Sequence, residues 1–95
     1  MEGPIRFRLE PSGDIALADR VRSVLAGDHY TAIPWHDLPI PIWLVRDRER
    51  NTPFRVVVRE TAIELHVLPR TEADGLETFY ERLGADADWT VSQVD

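Results

Sequence analysis

The chain has 95 residues with no cysteine and no lysine, and its 17 acidic residues against 11 arginines give a formal net charge of −6. This length predicts a single domain over 1–95, and the lack of cysteine excludes disulfide scaffolds, thiol nucleophiles and cysteine-ligated metals. The lack of lysine excludes Schiff-base chemistry and lysine-containing phosphate loops.

The first quarter of the chain predicts a strand followed by a helix. Residues 4–10 alternate between apolar and charged side chains, the period of a half-buried strand. Residues 17–25 carry apolar side chains at helical spacing. We expect Ser12 or Asp14 to cap this helix and Gly27 to end it.

The middle of the chain predicts a loop and then three strands. Residues 28–39 have no clear period and read as a long connecting loop, with room for a short strand at 30–33. Alternating apolar residues then predict strands at 40–46, 53–59 and 62–68.

The first of these three strands has apolar residues on both faces. We assign Ile42 and Leu44 to the core and Trp43 and Val45 to the opposite face. Because Pro41 has no N–H to donate, this strand is expected at the edge of the sheet or with a bulge.

The other two strands predict a hairpin whose register can be derived. Pairing about Glu60 and Thr61 brings apolar residues together on one face, which a one-residue slip would prevent. The predicted apolar pairs are Val58–Ile63, Val56–Leu65 and Phe54–Val67. The pairs on the other face are Arg59–Ala62, Val57–Glu64 and Arg55–His66.

The last quarter predicts a helix over 72–83 and a short strand over 89–94. Thr71 with Asp74 resembles a capping box, and Gly84 is a natural stop. The element order is then β-α-β-β-β-α-β. Since each helix has a single apolar stripe, we predict an α+β two-layer sandwich with a mainly antiparallel sheet of about five strands and two helices on one face.

The net charge is concentrated at the end of the sequence. Residues 71–95 hold seven acidic residues and only Arg82, a net −6, whereas residues 1–70 hold ten acidic residues and ten arginines. This asymmetry is typical of a solvated helix face, and it can also orient a partner or a second copy.

The sheet face without helices is the candidate site. Its expected apolar centre consists of Trp43, Val45, Val57 and Leu68. Its expected polar residues are Arg6, Arg8, Arg55, Arg59, Glu64 and His66. An apolar centre containing tryptophan with an arginine rim is typical of protein interfaces. We therefore predict a small non-enzymatic module that binds a second copy, as a dimer, or a partner protein.

Three alternatives stay open. The same arginines would suit an anionic ligand or a nucleic acid, although the net charge disfavours polyanions. The face can also be purely structural, with its arginines paired to Glu10 and Glu64.

Finally, His29 and His36 each lie beside an aspartate in the 28–39 loop and would suit a metal-dependent or hydrolytic enzyme. Their spacing matches no known metal motif, so we predict no catalytic residue, metal or cofactor.

The sequence predicts a cytoplasmic protein with no membrane segment. Glu2 stands where a signal peptide needs basic residues, and the longest apolar run, 39–45, is far shorter than the roughly 20 residues that span a bilayer.

Overall fold

A computed structural model describes residues 5–35, 39–84 and 89–94. Its elements are β1 (Arg6–Pro11), α1 (Leu17–Leu25), β2 (Tyr30–Trp35), β3 (Ile42–Asp47), β4 (Thr52–Val58), β5 (Ile63–Val67), α2 (Ala73–Arg82) and β6 (Trp89–Val94). Within the described residues, six strands form one antiparallel sheet in the order β2-β3-β4-β5-β1-β6. The predicted α+β class is confirmed, and the additional strand is β2, in the segment predicted mainly as a loop.

The predicted β4–β5 hairpin register is confirmed. Val58 pairs with Ile63, Val56 with Leu65 and Phe54 with Val67. All six side chains contribute to one apolar core or pack against it. The register is determined because both strands alternate cleanly, so one pairing alone buries all three apolar pairs.

The core lies between the sheet and both helices. Phe54 of β4 and Phe79 of α2 are fully buried, with ring centres 5.1 Å apart at an interplanar angle of 62°. Tyr30 of β2 packs edge-on against Phe79 at 5.4 Å, and Arg82 Nη1 donates a hydrogen bond of 2.8 Å to its hydroxyl. Leu17 and Val21 of α1 belong to the same core. Each fully buried side chain of this size contributes about 1.5–3 kcal/mol, so these contacts fix both helices on one face.

The predicted N-terminal helix caps are wrong, whereas Gly84, with φ 78°, follows the end of α2 as predicted. α1 begins after Ala16, and neither helix has a side-chain cap at its N-terminus. α2 follows Glu72, and Thr71 instead accepts a hydrogen bond from the Leu68 N–H at 2.8 Å and donates its hydroxyl to the Pro53 carbonyl. Thr71 thereby joins the β5–α2 connection to β4, which is a long-range contact that local sequence does not reveal.

The edge position predicted for the strand at 40–46, which is β3 in the structure, is also wrong. β3 lies between β2 and β4, and Pro41 precedes it. The Pro41 carbonyl accepts a hydrogen bond from the Val58 N–H at 3.0 Å. Because Pro41 acts only as an acceptor at the end of the ladder, its missing N–H does not interrupt the sheet.

Candidate functional site

The face of the sheet that points away from the helices, called the open face below, follows from the strand pairing. Side chains of a strand alternate between the two faces of the sheet. In β1, β4 and β5, the side chains of Leu9, Phe54, Val56 and Leu65 belong to the core. The residues between them therefore lie on the open face. From β2 to β1 they are Ile33, Trp35, Ile42, Leu44, Arg55, Val57, Glu64, His66, Arg6 and Arg8.

The predicted centre of this face needs correction. Trp43 pairs with Val56 and Val45 with Phe54, so both side chains face the helices. Trp43 is 9% exposed and packs in the core, with the Arg22 guanidinium of α1 5.7 Å from its ring centre. The strand is apolar on both faces, so alternation alone did not decide which face is covered. Because Trp43 is larger than Ile42 or Leu44, placing Trp43 under α1 buries more apolar surface than the opposite arrangement of β3 would.

The other predicted positions divide into two groups. Arg6, Arg8, Arg55 and His66 lie on the open face, as predicted, whereas Val57 lies on the same side of the sheet but is buried, with only 1% of its surface exposed. Leu68, half-buried, lies beyond the end of β5 in the connection to α2. Arg59 follows β4 and reaches the open face through its contact with Glu64.

An apolar area that the sequence did not predict occupies the β2–β3 half of the open face. Ile33 is 56% exposed and Trp35 is 42% exposed. Ile42 and Leu44, half-buried, lie opposite them, Leu44 paired with Ile33 and Ile42 with Trp35. We call these four residues the β2–β3 patch. A groove of about 270 Å³ beside it is lined by Ile33, Leu44 and Pro53 among others.

Arg55 joins the patch to the rest of the open face. Its guanidinium carbon lies 5.0 Å from the centre of the Trp35 ring. A cation over a tryptophan face is attracted by the ring quadrupole by about 0.5–1 kcal/mol at exposed sites. The Nε of Arg55 is buried and has no hydrogen-bond partner among the described residues. This arginine therefore holds the indole in place.

The other half of the open face is charged, with Glu64 at its centre. Arg59 Nε lies 3.2 Å and His66 Nε2 3.0 Å from the two carboxylate oxygens of Glu64, and Arg8 Nη1 lies 3.7 Å away. Arg8 also contacts Glu10 at 3.0 Å. The predicted pairing of the arginines with Glu10 and Glu64 is confirmed for Arg8 and Arg59.

Burial and charge act in opposite directions on Glu64. Burial alone would raise the pKa of its carboxyl, but hydrogen bonds from His66 and Arg59 and the positive charge of Arg59 leave the pKa below its ordinary value of 4.5. The carboxylate therefore stays ionised, and it neutralises much of the arginine charge on this half of the face.

Ser92 does not come within hydrogen-bonding distance of Glu64 in the charged half. Ser92 of β6 pairs with Arg8 of β1, and Arg8 pairs with Glu64 of β5. Adjacent strands lie about 4.8 Å apart, so Ser92 is separated from Glu64 by about 10 Å of sheet. This spacing is too large for the hydrogen bond that a nucleophile and its base need.

The second arginine group lies at the β3–β4 turn. Arg46, Arg48 and Arg50 are exposed, as expected for a solvated hairpin tip. Buried Asp47 organises the turn, because its Oδ1 accepts the N–H of Glu49 at 2.9 Å and of Arg50 at 3.2 Å.

The predicted loop site is only partly covered by the structure. His29 is exposed beside Tyr30, whereas His36 and Asp37 lie outside the described residues. Across 5–35, 39–84 and 89–94, no three histidine, aspartate or glutamate side chains come together as metal ligands would.

Neither described helix is long and apolar enough to cross a membrane. Comparison with protein-family models, curated proteins and solved structures finds no match to this chain. The function therefore has to be inferred from the open face and the surfaces around it.

Proposed function

We propose that this protein is a non-enzymatic interaction module that self-associates through the β2–β3 patch. The observation that carries the proposal is the exposure of Ile33 and Trp35 on one strand, next to half-buried Ile42 and Leu44 on its neighbour. Burial of apolar surface contributes about 25 cal/mol per Å², and contiguous exposed apolar residues of this kind mark binding surfaces.

The composition of the patch supports a protein partner. Tryptophan and arginine are the residues most enriched among those that dominate binding energy, and Trp35 and Arg55 are already stacked before binding. A side chain held in place loses less conformational entropy on association than a mobile one. The Trp35–Arg55 pair is therefore preorganised to serve as the anchor of the interface.

The charge distribution supports a second copy as that partner. The exposed acidic residues of α2, Asp74, Glu77 and Glu81, lie on the helix layer, behind the sheet. On the open face, Glu10 and Glu64 offset the charges of Arg8 and Arg59. Two copies that meet through their open faces thus keep their acidic helices on the outside, where like charges repel least.

Size-exclusion chromatography with light scattering on matched variants tests the proposal. Trp35→Asp places a charge at the centre of the patch and should convert the dimer to the 10.9 kDa monomer. Val91→Asp is the matched control, because Val91 is equally exposed, at 45%, but its side chain lies on the helix side of β6. The control should remain a dimer. If both variants become monomers, or if both remain dimers, the β2–β3 patch is not the interface.

A second candidate is an anionic ligand bound beside Trp35. It is favoured by the guanidinium of Arg55 beside Trp35 and by the exposed arginine at position 46 on the same face. Self-association takes precedence because Glu64 and Glu10 already occupy Arg8 and Arg59. Fluorescence anisotropy with a labelled single-stranded RNA at low ionic strength tests it. Binding that weakens steeply with salt and is lost in Arg55→Gln would support an anionic ligand, and no binding would exclude nucleic acid.

A further inference from the structure

The outer edge of β6 presents backbone groups that no neighbouring strand uses. Val67 N donates to Ile5 O at 2.8 Å, so these two residues form a hydrogen-bonded pair between β5 and β1. Such pairs recur at every second residue of an antiparallel ladder. Arg6, Arg8 and Glu10 must therefore direct their backbone groups to the other side, towards β6.

The register of β6 then determines which of its groups face outward. The partners of those three β1 residues are Val94, Ser92 and Thr90, whose N–H and C=O groups point to β1. The backbone groups of Trp89, Val91 and Gln93 point away from the sheet. This strand contains no proline and no charged residue, the two features that usually protect an edge strand from pairing.

The opposite edge of the sheet is protected. Arg48 N donates to His29 O at 2.9 Å, so by the same alternation Tyr30, Ala32 and Pro34 of β2 direct their backbone groups outward. Pro34 has no N–H, which interrupts any further ladder on that side. Of the two edges, β6 alone can accept a continuous added strand.

An apolar groove lies directly beside β6, on the helix side of the sheet. It measures about 220 Å³ and is lined by Phe7, Leu9 and Leu65 of the sheet, by Ala73, Leu76, Glu77 and Tyr80 of α2, and by Val91. Val91 pairs with buried Leu9 and so faces the helix layer, yet it is 45% exposed. α2 therefore leaves the β6 end of the sheet uncovered, and we call this space the β6 groove.

The rim of the β6 groove determines the charge of what it can bind. Glu77 lines the groove, and Asp74 and Glu81 lie one turn before and after it on the exposed side of α2. The basic residue of this helix, Arg82, is engaged with Tyr30. Opposite charges across an interface favour association and fix register, so an occupant with basic residues complements this rim.

We propose that β6 and the β6 groove bind an extended segment of a partner protein in which every second residue, on the face turned to the helices, is either apolar or basic. The segment pairs with the outward backbone groups of Trp89, Val91 and Gln93. Its apolar side chains pass over Val91 into the groove, and its basic side chains meet the carboxylates of α2. This is strand addition, in which main-chain hydrogen bonds give affinity and the pockets select the side chains. It goes beyond the proposed self-association and lies on the other side of the sheet.

Two synthetic heptapeptides with blocked ends serve as probes: both carry leucine at the third and fifth residues and serine at every even one, and they carry either arginine or glutamate at the first and seventh. We expect the arginine peptide to bind the full chain and to slow amide hydrogen exchange at Trp89, Val91 and Gln93. A segment that docked as a helix would leave these three amides unprotected. The glutamate peptide should not bind. Absence of arginine-peptide binding, or protection confined to β2, would overturn the proposal.

Charge-reversed variants separate the β6 groove from general attraction to an acidic protein. Glu77→Arg should weaken binding of the arginine peptide by about tenfold, because it reverses a charge in the groove itself. Glu49→Arg makes the same change at the distant β3–β4 turn and should have little effect. Equal weakening in both variants would mean non-specific attraction. Trp35→Asp should leave peptide binding intact, which keeps this result independent of self-association.

Discussion

The guanidinium carbon of Arg55 lies 5.0 Å from the ring centre of Trp35, across one intervening strand of the sheet. This contact bridges β2 and β4, and it places a cation beside the most exposed aromatic side chain of the described residues. A flat guanidinium covers an indole ring more closely than an ammonium group does. The stack therefore gives the β2–β3 patch a fixed shape.

Arg55→Lys tests the contribution of this stack. Lysine keeps the charge but has neither the planar guanidinium that covers the ring nor an Nε–H donor. We expect self-association to weaken about two- to fivefold, which corresponds to the loss of roughly 0.5–1 kcal/mol. The free energy of unfolding of the monomer should change less, because lysine still places a cation near the ring. Sedimentation velocity and urea unfolding measure the two quantities, and an equal loss in both would show that the pair is structural.

The tryptophans at positions 43 and 35 should respond in opposite ways to truncation. Trp43 is buried against α1, so Trp43→Ala should cost about 3–5 kcal/mol of unfolding free energy. Trp35→Ala removes a 42% exposed side chain and should cost no more than about 1 kcal/mol. Thermal unfolding followed by circular dichroism, at concentrations low enough for the chain to be monomeric, checks this difference. Similar losses in the two variants would contradict the assignment of the two faces.

Gly75 should not tolerate alanine, although alanine normally favours a helix by about 1 kcal/mol over glycine. A Cβ at Gly75 would lie 2.8 Å from Cγ2 of Thr52, which is fully buried in β4. We expect Gly75→Ala to destabilise the fold by about 1–3 kcal/mol, since α2 must shift away from the sheet. Thr52→Ala removes the clashing atom, so a double-mutant cycle should show part of this loss recovered. Additive effects of the two substitutions would contradict the close approach of Gly75 to Thr52.

The stabilising effect of Glu64 should depend on pH. Its pKa is lower in the folded chain than its ordinary value of 4.5, so the unfolded state binds more protons in this range. The stabilisation is therefore complete above pH 4.5 and is lost as the pH falls below it. Glu64→Gln should lower the free energy of unfolding at neutral pH by about 1–3 kcal/mol and flatten its decline in acid.

A matched control for this measurement is Glu10→Gln. Glu10 is exposed and contacts Arg8 alone among the arginines for which a contact is described. This variant should retain most of the acid dependence. If Glu10→Gln and Glu64→Gln flatten the pH profile equally, Arg8, Arg59 and His66 do not act on Glu64 as a unit.

The parts of the fold that could be predicted from sequence are those with one apolar face. The β4–β5 register follows from strict alternation, and α1 was predicted at the residues where it lies, because each pattern buries its apolar residues in a single arrangement. Where both faces of a strand are apolar, as in β3, alternation does not determine which face turns towards the helices. Only the position of α1 over Trp43 selects one.

The sequence predicted a sheet face without helices but placed the wrong apolar residues at its centre. Residues 28–39 have no clear period and were therefore predicted mainly as a loop, although an edge strand tolerates Pro34 on its outer side. Once 30–35 is a strand, Ile33 and Trp35 fall on the open face by alternation. The β6 groove could not be predicted, because it depends on how far α2 extends over the sheet.

Sedimentation equilibrium of the wild-type chain over a range of concentrations tests self-association through the β2–β3 patch most directly. We expect a mass of twice 10.9 kDa that falls towards the monomer on dilution. Trp35→Asp should give 10.9 kDa at every concentration, whereas Val91→Asp should follow the wild type. A wild-type mass of 10.9 kDa throughout, or a dimer that persists in Trp35→Asp, would contradict the proposed interface.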